Sequence, residues 1–413
     1  MIDRLERSLR DARGWLGRIE LPESDEKDDA SCDRAATRPA DGSTSDGEPR
    51  SDGDPTGGAA SSVGAGSSDD AATGWELADS PASKTLYDVV HGQDGPYACG
   101  EGGLLLHRGD DGWRVLLERG PGVAENTLRA IGATDDGCRL WFAGDSGALG
   151  CYDVADGHLS DYSAPMEKTS TWEAIAVTGK TDSERVRVAN GSGEVLECIV
   201  EDGCPTWGAV VEPGGGSTIT GLTAGPDGFY AVDTSGGAYL ETRSDDSSER
   251  PSPSSDPRDG TPADTEPTDT SPTDEWQRIG VDNAQVNFQD VWADEASVFI
   301  AGADGIAYRY DPHCENWTPL SVGQGDLQSI RSIGSDAVAV ASGGRLYERD
   351  QSVRWLARET PTEQSLFGLA LARSSADVDA GLATAPVDVA VGAGGVIIER
   401  DRRSGSSGRD AGR

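Results

Sequence analysis

Lysine is nearly missing from this chain. Of the 35 basic residues only four are lysine (Lys27, Lys84, Lys168 and Lys180) and the other 31 are arginine; 73 acidic residues leave a net charge of −38. Such a balance excludes direct recognition of a nucleic-acid backbone, which needs clustered cations. Histidine is just as scarce. His91, His107, His158 and His313 fall in different parts of the chain without metal-ligand spacing, and His313 adjoins Cys314, so a strand cannot turn both toward one metal. The seven cysteines are odd in number and scattered, with no CxxC pair, which argues against a disulfide framework and for small buried hydrophobes. No apolar run is long enough to span a bilayer, and residues 1–30 lack the apolar core of a secretory leader. The expected location is the cytoplasm, or the periphery of the membrane. A GxSxG elbow and a Walker A loop are absent too. No catalytic residue, cofactor site or metal site is expected.

What is present is a pattern that returns seven times. It opens on an apolar residue, Leu86, Leu128, Trp172, Ile219, Phe288, Leu327 and Leu366, with an aliphatic residue three places on: Val89, Ile131, Ile175, Leu222, Val291, Ile330 and Leu369. A second strand-like segment follows, then a turn glycine: Gly103, Gly147, Gly193, Gly236, Gly305, Gly344 and Gly395. The residue two after each glycine is apolar, which predicts that it faces a neighbouring sheet. Residues 74–401, less an insertion at 243–274, divide into seven units of about 42 residues, the size of four-stranded propeller blades. The segments are short, rich in β-branched and aromatic residues, and bounded by Gly and Asp. The predicted fold is all-β: a seven-bladed β-propeller over 74–401. A tight hairpin with φ > 0 explains the glycine. Trp75, Trp113, Trp207, Trp276, Trp317 and Trp355 recur near blade boundaries as expected inter-sheet packing, with Tyr162 at the nearest equivalent place in the one unit that lacks Trp. The segments at Trp75 and Val396–Arg400 are expected to share one blade and close the ring.

Outside the repeat the chemistry changes. Ile2, Leu5, Leu9, Ala12, Leu16 and Ile19 recur at helical spacing, with arginines mainly opposite, predicting an amphipathic helix within residues 1–21. Residues 22–73 hold no Leu, Ile, Phe, Tyr or Trp and read as a disordered acidic tether. The insertion 243–274, with six prolines, and the tail 402–413 read as disordered too. The helix face Ile2, Leu5, Leu9, Ala12 and Leu16 is a candidate for binding a partner, or for lying on an anionic membrane surface.

The acid-rich, lysine-poor composition resembles that of proteins from salt-accumulating halophilic archaea, where around 1 M salt screens carboxylate repulsion to within roughly 3 Å. His107–Trp113 (HRGDDGW) resembles a degenerate Asp-box, the turn of sialidase-type and photosystem II assembly-factor-like propellers. Ala98–Arg108, Ala301–Tyr310 and Val391–Arg400 match the phase of those repeats. The Asp-box glycine is absent at Asp311–Trp317 and Asp350–Trp355. The resemblance implies a propeller and, on its assembly-factor side, a scaffold for protein partners. The arginine cluster of sialidases has no counterpart that can be placed here.

The reading that follows is a non-catalytic protein-interaction scaffold, of the assembly or accessory kind, binding partners through a propeller face and the tethered helix. Two alternatives stand beside it. One is an enzyme acting on glycans or other small molecules at the channel mouth, where Tyr87, Arg129, Glu173, Gln289 and Gln328 follow the opening apolar position of their strands. The other is a membrane-peripheral protein held by its helix.

Overall fold

Short apolar segments separated by glycine turns can satisfy their backbones only by pairing with one another, and seven copies of one hairpin pair build seven like sheets. The computed structural model describes residues 74–242, 276–281, 284, 286–349, 354–372 and 387–402. The N-terminal helix face from Ile2 to Leu16, the acidic tether, the insertion 243–274 and the tail beyond Arg402 lie outside the described residues. What is described forms seven four-stranded antiparallel sheets. Their innermost strands are Leu86–Gly92, Leu128–Ala133, Trp172–Thr178, Ile219–Gly225, Phe288–Ala293, Leu327–Ile333 and Leu366–Ala370, which open blades 1 to 7 in that order. Each contacts the inner strand of the next blade, and the first meets the seventh, so they ring a central channel. Among the described residues there is no α-helix, only short 3-10 turns.

The ring closes as expected. Glu76–Leu77 pairs antiparallel with Ile397–Asp401, so the earliest described strand is the outermost strand of blade 7. Hydrophobic packing follows the same symmetry. Among the described residues there are seven buried clusters, one between each pair of adjacent blades. The residue two after each turn glycine (Leu105, Leu149, Val195, Ala238, Ala307, Leu346, Ile397) is buried in the cluster shared with the following blade.

The tryptophans pack on the opposite, preceding side. In each outermost strand the residue facing the fifth position after the turn glycine points that way: Trp113 opposite Arg108, Trp207 opposite Cys198, Trp276 opposite Glu241, Trp317 opposite Tyr310 and Trp355 opposite Arg349. In blade 2 that place belongs to Leu159, opposite Tyr152. This corrects the assignment of Tyr162, which lies beyond the strand and packs instead toward blade 3, stacked on Trp141 at 5.4 Å and edge-on to Trp207 at 6.2 Å. The outer strand, His158–Asp161, ends one residue before Tyr162. Of the cysteines, Cys99, Cys151 and Cys198 are buried free thiols, while Cys204 and Cys314 are exposed. Cys138 is disulfide-bonded.

All seven turn glycines have φ between +69° and +83°. A side chain is barred at Gly395 for a second reason, since a Cβ there would sit 2.1 Å from the Ala82 carbonyl oxygen in the loop that leaves the same blade. Gly112 separates the two effects: its φ is +98°, but a Cβ there would meet nothing within 4 Å. Gly112→Ala is expected to cost about 1–2 kcal/mol from backbone conformation alone. Gly395→Ala should cost at least about twice that, because backbone atoms must move. Equal shifts in urea midpoint would show that the close approach carries no weight.

Candidate functional site

An apolar pair three residues apart is out of phase with a strand, in which alternate residues share a face. The structure resolves the conflict with a register shift at the same place in every inner strand. It falls between Leu86 and Asp88, Leu128 and Ala130, Trp172 and Ala174, Ile219 and Gly221, Phe288 and Asp290, Leu327 and Ser329, and Leu366 and Gly368. Each bulge leaves one residue out of the ladder and lets both apolar residues turn into the blade interfaces. The residues left over are Tyr87, Arg129, Glu173, Thr220, Gln289, Gln328 and Phe367. All are half-buried, and together they ring one end of the channel. Five are the candidates expected from sequence. Thr220 and Phe367 were missed, although the same offset from Ile219 and Leu366 points to them.

The ring is not uniform. Phe367 and Tyr87 lie with ring centroids 5.7 Å apart across the closing junction, and the Arg129 guanidinium stands 5.7 Å from the Tyr87 centroid. Arg129 Nε donates to Asp145 Oδ1 at 2.6 Å, and its Nη1 reaches Glu173 Oε2 at 3.6 Å. Arg129 and Glu173, in adjacent blades, therefore meet within a three-membered ion cluster. Burial raises the Glu173 carboxyl above its ordinary range, opposed by Arg129 and assisted by Asp145. The remaining arc is neutral. Thr220 donates its hydroxyl to the Phe288 carbonyl at 2.8 Å, and Gln328 Nε2 lies 3.4 Å from the Asp326 carbonyl. One half of the mouth thus offers aromatic faces and an arginine held between two carboxylates, the other amides and a hydroxyl.

Below the ring, aspartates stitch neighbouring blades. Asp88 accepts from the backbone N–H of Val89 at 2.9 Å and of Ile131, in the next blade, at 3.1 Å. Asp290 repeats the arrangement with Val291 at 2.9 Å and Ile330 at 3.1 Å, and also takes Ser329 and Arg331. Desolvation raises the Asp88 carboxyl to about 6, countered by Arg331 and the two N–H donors, with Asp290 adding to the rise. Among the described residues, no three His, Cys, Asp or Glu side chains converge as metal ligands. Among the same residues, no helix is long and apolar enough to cross a membrane.

Seven radial sheets, a latch formed from both ends of the repeat and a bulge-defined mouth make this a seven-bladed β-propeller. Solved structures share that architecture. YCF48 bound to a D1 peptide aligns with a TM-score of 0.54 at 12% identity, covering 79% of this chain and 96% of that one. YCF48 from Cyanidioschyzon merolae gives 0.54 at 13%, with 80% and 99% covered. A chain in the crystal structure of the Mitotic Checkpoint Complex gives 0.58 at 11%, with 84% and 99% covered. At these identities the likeness is one of fold. No protein-family model matches the chain, and no curated protein matches its sequence.

Proposed function

We propose that this protein is a non-catalytic scaffold that holds an extended segment of a protein partner against its channel mouth. The observation that carries the reading is the bulge ring: seven side chains leave their ladders at one end of the channel, aromatic and ion-paired on one arc, amide-bearing on the other. The YCF48 propeller, similar in fold, has been solved bound to a D1 peptide, which lends support to a peptide at a propeller surface here. A net charge of −38 disfavours a nucleic-acid partner.

A photocrosslinking residue at Gln289 or Phe367 tests the reading. Asp111, in the hairpin between the third and outermost strands of blade 1, lies at the opposite end of the ring and serves as the control. In native high-salt lysate the two mouth positions should capture the same discrete protein, with Asp111 capturing none. The double variant Tyr87→Ala, Phe367→Ala should cut crosslinking at Gln289 by about tenfold, the effect of losing one to two aromatic contacts. Equal yields from the mouth and from Asp111 would overturn the proposal.

A further inference from the structure

We infer that the loops leaving blades 1 and 2, residues 118–127 and 162–171, form a second docking surface beside the mouth, and that it receives a partner's short cationic segment bearing aliphatic side chains. The inference rests on the scaffold reading and adds a place and a chemistry to it.

Val123 and Met166 are 66% and 58% exposed, among the most exposed large apolar side chains described. Both stand in left-handed backbone, with φ of +54° and +53°, and so do Glu125, Ala164 and Glu167 in the same two loops. Half of the ten described non-glycine residues with positive φ are therefore concentrated in two short connections. For a β-branched residue this conformation is an outlier, and an exposed valine gains nothing from burial to offset it. Strain that the fold does not need points to a surface shaped for something else.

The two loops share a design. A buried proline, Pro121 or Pro165, anchors each, and the apolar residue is thrust outward just after it. They are also neighbours. A Cβ on Gly122 would lie 3.1 Å from Asp161 Oδ2, on the strand that runs directly into the second loop. The surroundings are anionic. Glu118, Glu125, Asp161 and Glu167 outnumber Arg119 and Lys168, and both cations are already engaged: Arg119 with Glu125 at 3.4 Å and Lys168 with Glu194 at 2.6 Å. An apolar centre rimmed by carboxylates complements aliphatic residues flanked by arginine or lysine.

The test uses a synthetic 16-residue amphipathic peptide with leucines at helical spacing and arginines on its other face, and a matched peptide with glutamates for arginines. Binding is read by fluorescence anisotropy on the full chain. The arginine peptide should bind and the glutamate peptide should not. The variant Val123→Asn, Met166→Asn keeps a residue type that tolerates left-handed backbone. It should bind at least tenfold more weakly while melting at the same or a higher temperature. A structural role alone would not couple weaker binding to undiminished stability. Unchanged affinity in the variant would overturn the inference, as would equal binding of both peptides. So would a self-association, seen by sedimentation, that the variant abolishes, since the occupant would then be a second copy. Photocrosslinking at Gln289 should persist in the variant; that separates failure of this surface from failure of the mouth.

Discussion

A chain that begins after residue 80 is expected to melt well below one that begins at Gly74. The seven residues between include the whole outer strand of blade 7. Trp75 is 5% exposed in the cluster between blades 6 and 7, and its Nε1 donates to Glu348 Oε1 at 3.1 Å. The Arg400 guanidinium lies 4.9 Å from the Trp75 ring, pairs with the same Glu348 and also holds the buried Asp388 at 2.6 Å. On the other flank Glu399 takes Arg108 at 2.7 Å and Trp113 Nε1 at 2.6 Å from blade 1. The strand thus completes a blade that grips both neighbours through buried or half-buried ion pairs. Losing a buried tryptophan costs about 3–5 kcal/mol. The ladder to Ile397–Asp401, including the Ala78 N–H on the Ile397 carbonyl at 3.0 Å, adds about 1 kcal/mol per bond. At about 2 °C per kcal/mol in a domain of this size, Trp75→Ala alone should lower Tm by roughly 6–10 °C, and the truncation by more. Calorimetry of the two chains and the point variant decides the matter. A truncated chain with an unchanged Tm would show that the ring holds without its latch.

The parts legible in the sequence were those that repeat with a local cause. A turn glycine needs only its own φ, and an apolar residue two places on needs only strand alternation; both recur seven times and both are found in place. The bulges had a signal too. Leu86 and Val89 cannot share a buried environment on a regular strand, so the apolar spacing of three already required an extra residue between them, at Tyr87. In every unit the same spacing places such a residue, Thr220 and Phe367 along with the five mouth residues named from sequence. Other features had no local cause to read. Trp75 finds Glu348 across 273 positions of chain. Leu159 holds the place of a tryptophan because pairing sets it opposite Tyr152, and composition does not show which residue a hairpin of variable length brings there. Asp88 and Asp290 look like any of 73 acids until two N–H groups from different blades are seen to converge on each.

Asp88→Asn should uncover a pH dependence that the native chain largely hides. Two groups on the inner strand of blade 1 titrate against each other. Asp88 keeps limited exposure to the channel but is walled in by the inner strands, and its carboxyl is raised from 3.8 to about 6, chiefly by desolvation. The folded state then holds its proton more tightly than the unfolded one. The resulting stability is full below pH 3.8 and is lost as pH rises through 6, worth at most about 3 kcal/mol. His91 runs the other way. Its Nε2 is buried without a hydrogen-bond partner among the described residues, and desolvation lowers its pKa from 6.5 to about 4, against the pull of Asp388. Neutral His91 is compatible with the fold and charged His91 is not, so its contribution is full above pH 6.5 and is lost as pH falls through 4, again at most about 3 kcal/mol. Over the shared window the slopes nearly cancel. Asp88→Asn removes one of them, so the variant should lose stability from pH 6.5 to pH 4 relative to the native chain, whatever the fixed cost of a weaker acceptor for the Val89 and Ile131 N–H groups. His91→Gln should do the reverse and gain stability on acidification. Denaturant midpoints at pH 4 and pH 7 in matched high salt, which screens the exposed carboxylates equally in all three chains, measure the difference. Parallel profiles would mean that water reaches both groups through the channel and that neither is desolvated as the inner ring of strands implies.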